Sequence, residues 1–253
     1  MKLQDFIAAM DAFAPRELAF EGDNPGLLIG TYRQDIKRVL VALDCTLPVV
    51  NEAAEKGYDL VLTHHPLMFR AVRKILPDDP ITSPVFYLIR NNIGLFAAHT
   101  NLDAAKGGVN AELCKLLGIL DPITVGEEKI MRIGNLANSV KLYDFIRFAE
   151  NVLATRFRFT GEDRDIRRIA VMGGAGGGDY PLAHAFGADL YITGECKHNQ
   201  AIEAETLGLS IAVGGHFETE NPVLIPLIEY LESHTEGIEY SIAETNVPVF
   251  KMT

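Results

Sequence analysis

The amino-acid sequence repeats itself. The segment KLQDFI at 2–7 returns as KLYDFI at 141–146. DIKRV at 35–39 returns as DIRRI at 165–169, and YDLVLT at 58–63 returns as ADLYIT at 188–193. Asp35 and Asp165 are 130 positions apart, and so are Asp59 and Asp189. His99 leads Asp103 by four positions, as His216 leads Glu220. Independent segments sharing one offset indicate two copies of one unit rather than chance likeness. The chain therefore reads as a first repeat over 1–125 and a second over 126–253.

Each copy opens on an amphipathic helix. Leu3, Phe6, Ile7 and Met10 recur at helical spacing in the first, and Leu142, Phe145, Ile146, Ala149, Val152 and Leu153 in the second, with Ser139 as N-cap. Short runs rich in Val, Ile and Leu follow at 38–43, 59–62 and 94–98, and again at 168–172, 189–192 and 209–213. None of them alternates, the pattern of strands buried on both faces in a parallel sheet. Helices lie between them: Pro48 opens one that Gly57 closes, Ser83-Pro84 opens another, and Gly118 follows the helix over 109–117. The fold class is α/β, a duplicated α/β unit with mixed, mostly parallel sheets built from right-handed crossovers. Two β-like pieces, 238–242 and 247–250, end the chain and can return to either half.

In open α/β sheets, ligands bind beyond the carboxyl ends of the strands. The strand at 59–62 runs into Thr63-His64-His65-Pro66, that at 94–98 into His99-Thr-Asn-Leu-Asp103, and that at 209–213 into Gly214-Gly215-His216-Phe-Glu-Thr-Glu220. Imidazole with carboxylate suits Zn, Fe, Mn or Ni and needs no thiolate. Four histidines and two carboxylates are too many for one catalytic zinc and match two ions with open positions. An isolated His-His pair is commonly a loop feature and an isolated HxxxD an ordinary helical pair. The placement of all of them at strand ends of a repeated unit favours a metal centre. Glu195 and His198, at the matching strand end of the second repeat, are candidates to line it. His184 and His234 read as solvated or structural.

A second signal is Gly173-Gly-Ala-Gly-Gly-Gly178-Asp179, between the strand at 168–172 and a helix starting near Pro181. Backbone N–H groups of Gly174, Gly176 and Gly177 can meet an anionic substrate there. The competing reading is a tight turn with close strand–helix packing. Asp179 opposes an anion and reads as the helix cap. Cys45, Cys114 and Cys196 read as small core residues, with no disulfide framework and no zinc knuckle. That pattern fits a reducing cytoplasm.

Composition narrows the remaining classes. With 23 Lys+Arg against 34 Asp+Glu the formal charge is −11, which argues against nonspecific nucleic-acid binding. No apolar run reaches the roughly 20 residues of a membrane span, and the N-terminus carries acids where a signal peptide is apolar.

These residues together resemble the NIF-three-like family of dinuclear-metal-centre hexameric proteins, often labelled GTP cyclohydrolase 1 type 2 homologues. The resemblance rests on DNPGLLIG at 23–30, DCTLP at 44–48, DLVLTHHPL at 59–67, AHTNLD at 98–103, ITGE at 192–195 and GHFETE at 215–220. It implies two divalent ions held by His64, His65, Asp103, His216 and Glu220. Glu220 would bridge, His64 and Asp103 would favour one ion, and His65 and His216 the other. His99 becomes a neighbour with a supporting or proton-transfer role. The resemblance also implies intertwined halves and a toroidal homohexamer. The long insertion some members carry between the halves is absent here, and any function tied to it is not carried over. Two functions follow as expectations. One is a metal-dependent hydrolase acting on a nucleotide or a related heterocyclic or phosphate substrate, a small molecule. The other is a non-catalytic metal-binding ring for metal homeostasis or partner docking.

Overall fold

The computed structural model describes every residue except Tyr32, Gln34, Met252 and Thr253. The chain divides into two compact units: Met1–Lys106 with Leu224–Val247, and Gly107–Val223 with the last residues from Pro248. The first unit begins with α1 (Leu3–Phe13), β1 (Gly26–Ile29), β2 (Arg38–Ala42), α2 (Leu47–Lys56), β3 (Leu60–Thr63), α3 (Ser83–Arg90), β4 (Gly94–Ala97) and α4 (Thr100–Ala104). The second contains α5 (Val109–Leu116), β5 (Leu120–Thr124), β6 (Arg132–Lys141), α6 (Leu142–Leu153), β7 (Arg158–Phe159), β8 (Asp165–Met172), α7 (Tyr180–Ala185), β9 (Leu190–Thr193), α8 (His198–Thr206), β10 (Ser210–Val213) and α9 (His216–Glu220). The chain then supplies α10 (Leu224–His234) and β11 (Glu239–Ile242) to the first unit.

The first sheet has strand order β1-β4-β3-β2-β11 and the second β5-β6-β8-β9-β10-β7. Parallel pairing joins β2, β3 and β4 in the one and β8, β9 and β10 in the other, while β1, β5, β6 and β7 pair antiparallel. The repeated motifs have a visible task in this arrangement. Asp59 Oδ2 accepts from Lys37 N at 2.8 Å and Arg38 N at 3.2 Å, tying the start of β3 to the start of β2. Asp189 Oδ2 does the same for Arg167 N and Arg168 N, both at 2.8 Å, at the start of β9 and β8. Each aspartate satisfies backbone donors that the ladder leaves open at a strand entry.

The parallel strands are buried throughout in β3, β4 and β9. Helices cover them with one face each. Val49, Val50 and Ala53 of α2 join Leu40, Val61, Leu88 and Leu95 in the first core. Leu142, Phe145, Ile146, Ala149 and Leu153 of α6 join Ile169, Leu190 and Ile192 in the second. Thr46 caps α2 by accepting from Val49 N at 3.4 Å, and Gly57 ends it at φ +73°.

Several expectations change. Ser139 is not the cap of α6: it lies in β6, whose pairing with β8 continues to Lys141, and its hydroxyl donates to Ile166 O at 3.3 Å. Asp163 accepts from Tyr143 N at 3.1 Å in the first turn of α6 instead. Asp179 precedes α7, but its side chain makes no capping bond. Residues 247–250 form no strand, whereas 238–242 contains β11, parallel to β2. Leu113, Cys114 and Leu117 are built into the second core, within the unit that starts at Gly107. Cys45 and Cys114 are buried, with their thiols pushed up to about 12 chiefly by that burial, while Cys196 is half-buried rather than a core residue. Among the described residues, no helix is long and apolar enough to cross a membrane.

Candidate metal centre

In the first unit the functional side chains collect at the carboxyl ends of β2, β3 and β4. His64 and His65 follow β3, and His99 precedes α4 just after β4. The His64 side chain is fully buried, and its Nδ1 donates to Ala98 O at 2.8 Å. That bond fixes the tautomer and makes Nε2 the candidate ligand atom. Nε2 stands 3.6 Å from Asp103 Oδ1. His65 Nδ1 is held at 2.9 Å by Asp44 Oδ1, from the end of β2. His99 Nδ1 is held at 2.9 Å by Asp23 Oδ1. Asp23 also accepts from the Thr100 hydroxyl, and from Thr100 N at 3.2 Å and Asn24 N at 2.8 Å. Burial alone would raise its pKa, but the bonds from His99, Thr100 and Asn24 together hold it well below the usual carboxylate range. The rings of His64 and His65 lie with centroids 5.4 and 5.8 Å from that of His99.

The second unit repeats the device at the ends of β8, β9 and β10. His216 opens α9, and Glu220 closes it one turn later. His216 Nδ1 is held at 2.8 Å by Glu195 Oε1, from the end of β9, while Nε2 stands 3.1 Å from Glu220 Oε2. The Glu220 side chain is buried. The glycine loop shapes the space it occupies. Gly174 has φ +64°, and a Cβ there would collide with the Glu220 carboxylate and crowd His216 Nε2. Thr219 Oγ1 accepts from Gly174 N at 3.1 Å, and Glu195 N donates to Gly174 O at 2.8 Å, so loop, strand end and helix are tied together. A side chain on Gly176 would strike Met172 and Tyr191, and one on Gly177 the backbone of Glu195 and Cys196. The loop thus packs closely on β9, and Tyr191 Oη donates to Gly176 O at 2.6 Å. His198 opens α8. His184 lies on α7, and His234 at the end of α10 stacks on Tyr230 at 3.9 Å.

His64 and His65 in the first unit and Glu220 in the second are candidate metal ligands, each offering one ligand atom. The donor set fits a divalent transition metal. It combines neutral imidazole nitrogens with carboxylate oxygens, and each ring is oriented through Nδ1 by an acceptor, as metal-bound histidines are. His64 with Asp103 and His216 with Glu220 each set a ring nitrogen against a carboxylate oxygen, an arrangement that a shared cation relieves. The sequence reading found these five residues but not the task of Asp23 and Asp44, which lay only within recognised motifs. The position of Asp44 beyond β2, next to the strand that carries His65, is the signal that marks it. Glu195, read as lining a substrate, holds the His216 ring.

The family model for Duf34/NIF3 (NGG1p interacting factor 3) matches residues 1–248. The chain belongs to that family. Among Duf34/NIF3 relatives, a GTP cyclohydrolase 1 type 2 homolog of Clostridium perfringens is 36% identical over 253 residues, covering 96% of this chain and 97% of the relative. The crystal structure of the Staphylococcus aureus hypothetical protein SA1388 superposes with a TM-score of 0.91 at 29% identity, over 100% of this chain and 99% of that one. Reduced HcgD from Methanocaldococcus jannaschii gives a TM-score of 0.84 at 31% identity, over 95% and 96% of the two chains.

Proposed function

We propose that this chain is a dinuclear divalent-metal hydrolase acting on a nucleotide or a related heterocyclic or phosphorylated substrate. The observation that carries the reading is that each unit sets a histidine ring nitrogen against a carboxylate oxygen, His64 Nε2 at 3.6 Å from Asp103 Oδ1 and His216 Nε2 at 3.1 Å from Glu220 Oε2. Asp103 and His216 would complete a set of five: His64 and Asp103 would hold one ion, His65 and His216 the other, and Glu220 would serve both. Five protein ligands on two ions leave positions for water and substrate. Bound divalent ions supply a water of lowered pKa and hold charge that develops on the substrate.

The chain's own groups do the rest. Ala98 O, Asp44 and Glu195 keep His64, His65 and His216 aimed through Nδ1. His99 has Nδ1 committed to Asp23, so Nε2 is the atom that takes up or releases a proton. The name borne by the relatives, GTP cyclohydrolase 1 type 2 homolog, makes GTP the first substrate to try. The proposal includes a homohexamer working in the cytoplasm.

The test is metal analysis and native mass on one preparation made without added metal or chelator, followed by a turnover screen with the metal found. About two ions per chain are expected, with Glu220→Ala losing metal and turnover together. Much less than one ion per chain after reconstitution with Fe, Mn or Zn overturns the metal assignment. Full turnover by a metal-free variant overturns the mechanism. Bound metal without turnover on a broad metabolite panel points instead to storage, delivery or docking.

A further inference from the structure

We infer that the segment from Phe69 to Lys74 is the recognition element for a phosphorylated ligand carrying a flat heterocycle. The inference rests on the hydrolase reading above, since it assigns the substrate class of that site. The segment follows the metal-site sequence directly, leaving β3 through His64, His65 and Pro66. Its root is fixed: Leu67 and Met68 pack on the first core, and Asn24 Nδ2 donates to Met68 O at 3.0 Å. Asn24 is the neighbour of Asp23, which holds His99. The far end is fixed as well, because Asp79 Oδ1 accepts from Ile81 N at 2.9 Å and Thr82 N at 2.8 Å, and Leu76 N donates to Thr82 Oγ1 at 3.3 Å.

Between these anchors the side chains face water. Phe69 is 55% exposed, yet its ring sits edge-on to His99 with centroids 5.7 Å apart and planes at 77°. One part of the phenyl ring is therefore spent on His99 and much of the remainder is open. An exposed aromatic surface beside a histidine of the site is suited to stacking on a heterocycle. Arg70, Arg73 and Lys74 follow within five positions, all exposed. Among the described residues none forms a hydrogen bond or ion pair with them, in a chain where acids outnumber bases by 34 to 23. Three uncompensated cations in an acidic protein make a local positive field where an anion is needed, and guanidinium groups match phosphate oxygens in pairs. A stacking surface and a phosphate-binding group thus lie side by side, next to the histidine placed for proton transfer.

Equilibrium binding to the metal-loaded full chain tests this, with three probes: GTP, guanosine and inorganic triphosphate. Salt is set at about 0.1 M and then about 1 M, between which the screening length falls from roughly 10 to 3 Å. The variant Arg70→Ser/Arg73→Ser/Lys74→Ser should weaken GTP and triphosphate about tenfold or more and flatten the salt dependence. Its guanosine binding should not change. Phe69→Ala should weaken GTP and guanosine and leave triphosphate as it was. Metal content and turnover are measured on every sample and decide the hydrolase reading separately. Unchanged GTP affinity and salt dependence in the triple variant overturn the inference, as does failure of the metal-loaded parent to bind either GTP or triphosphate. A triple variant with altered native mass and unaltered affinity also overturns it, and makes the segment a contact between copies of the chain.

Discussion

An imidazole becomes a metal ligand through what its second nitrogen touches. Asp44 and Glu195 give His65 and His216 that partner, at 2.9 and 2.8 Å. Glu195→Ala removes the acceptor without opening a core, since the Glu195 side chain is 59% exposed. The fold should stand and metal affinity should fall by about 10–100-fold, read by competition with a chromophoric chelator. Glu195→Gln keeps an oxygen that accepts from Nδ1 and should recover most of the loss. Equal affinity in the Ala variant would deny Glu195 this role. The candidate ligands were legible in the sequence because His64, His65 and His216 follow strand ends and Glu220 comes one helical turn after His216. The pairing of His99 with Asp23 was not, because 76 positions separate them and only the fold brings them together.

The central strands were legible for a similar reason. A strand buried on both faces, such as Leu60–Thr63, must be apolar without alternation. The antiparallel edges were not: β5 is exposed at every position and contains Asp121 and Pro122, residue types depleted in strands. Helix α2 shows how one polar residue can settle the position of a distant element. Glu52 lies on its buried face, and its carboxylate accepts from Glu244 N and Thr245 N at 3.0 Å each and from Thr245 Oγ1 at 2.8 Å, fixing the chain just after β11. Burial alone would raise its pKa, but these bonds and Lys56 lower it from 4.5 to about 2. The folded state keeps Glu52 ionised where the unfolded chain has begun to protonate it. Its contribution is therefore complete above about pH 4.5 and is lost as pH falls towards 2. Glu52→Gln should cost about 1–3 kcal/mol near neutral pH, measured by denaturant unfolding. The gap between variant and parent should narrow steadily below pH 4.5, and a gap independent of pH would show that the charge is not what fixes the turn.

The duplication was legible at the scale of the whole chain because Asp59 and Asp189 do the same work at the same strand entry in each copy. The division of the chain was harder to read, because α10 and β11 join the first unit through pairing of Tyr240 with Val39, and no local pattern announces a partner so far away in sequence. The proposed ligand set draws on both sequence repeats, and that has a thermodynamic consequence for the molecule as a whole. The unfolded chain holds His64, His65, Asp103, His216 and Glu220 far apart in sequence, so a metal held by them would bind the native state in preference to it, and its binding free energy would become folding free energy. Metal at about 100 times its dissociation constant should add about 2.7 kcal/mol for one site. In a chain of this size that raises the melting temperature by roughly 5–10 °C. Removal of metal by a chelator should reverse the shift, and His64→Ala or Glu220→Ala should abolish it. The triple variant of Arg70, Arg73 and Lys74 should retain it in full, because those residues are assigned to the substrate and not to the ions. A melting temperature indifferent to Fe, Mn, Zn and Ni in the parent would mean that these five side chains do not form a metal site. A shift that survives in Glu220→Ala would place the ions elsewhere.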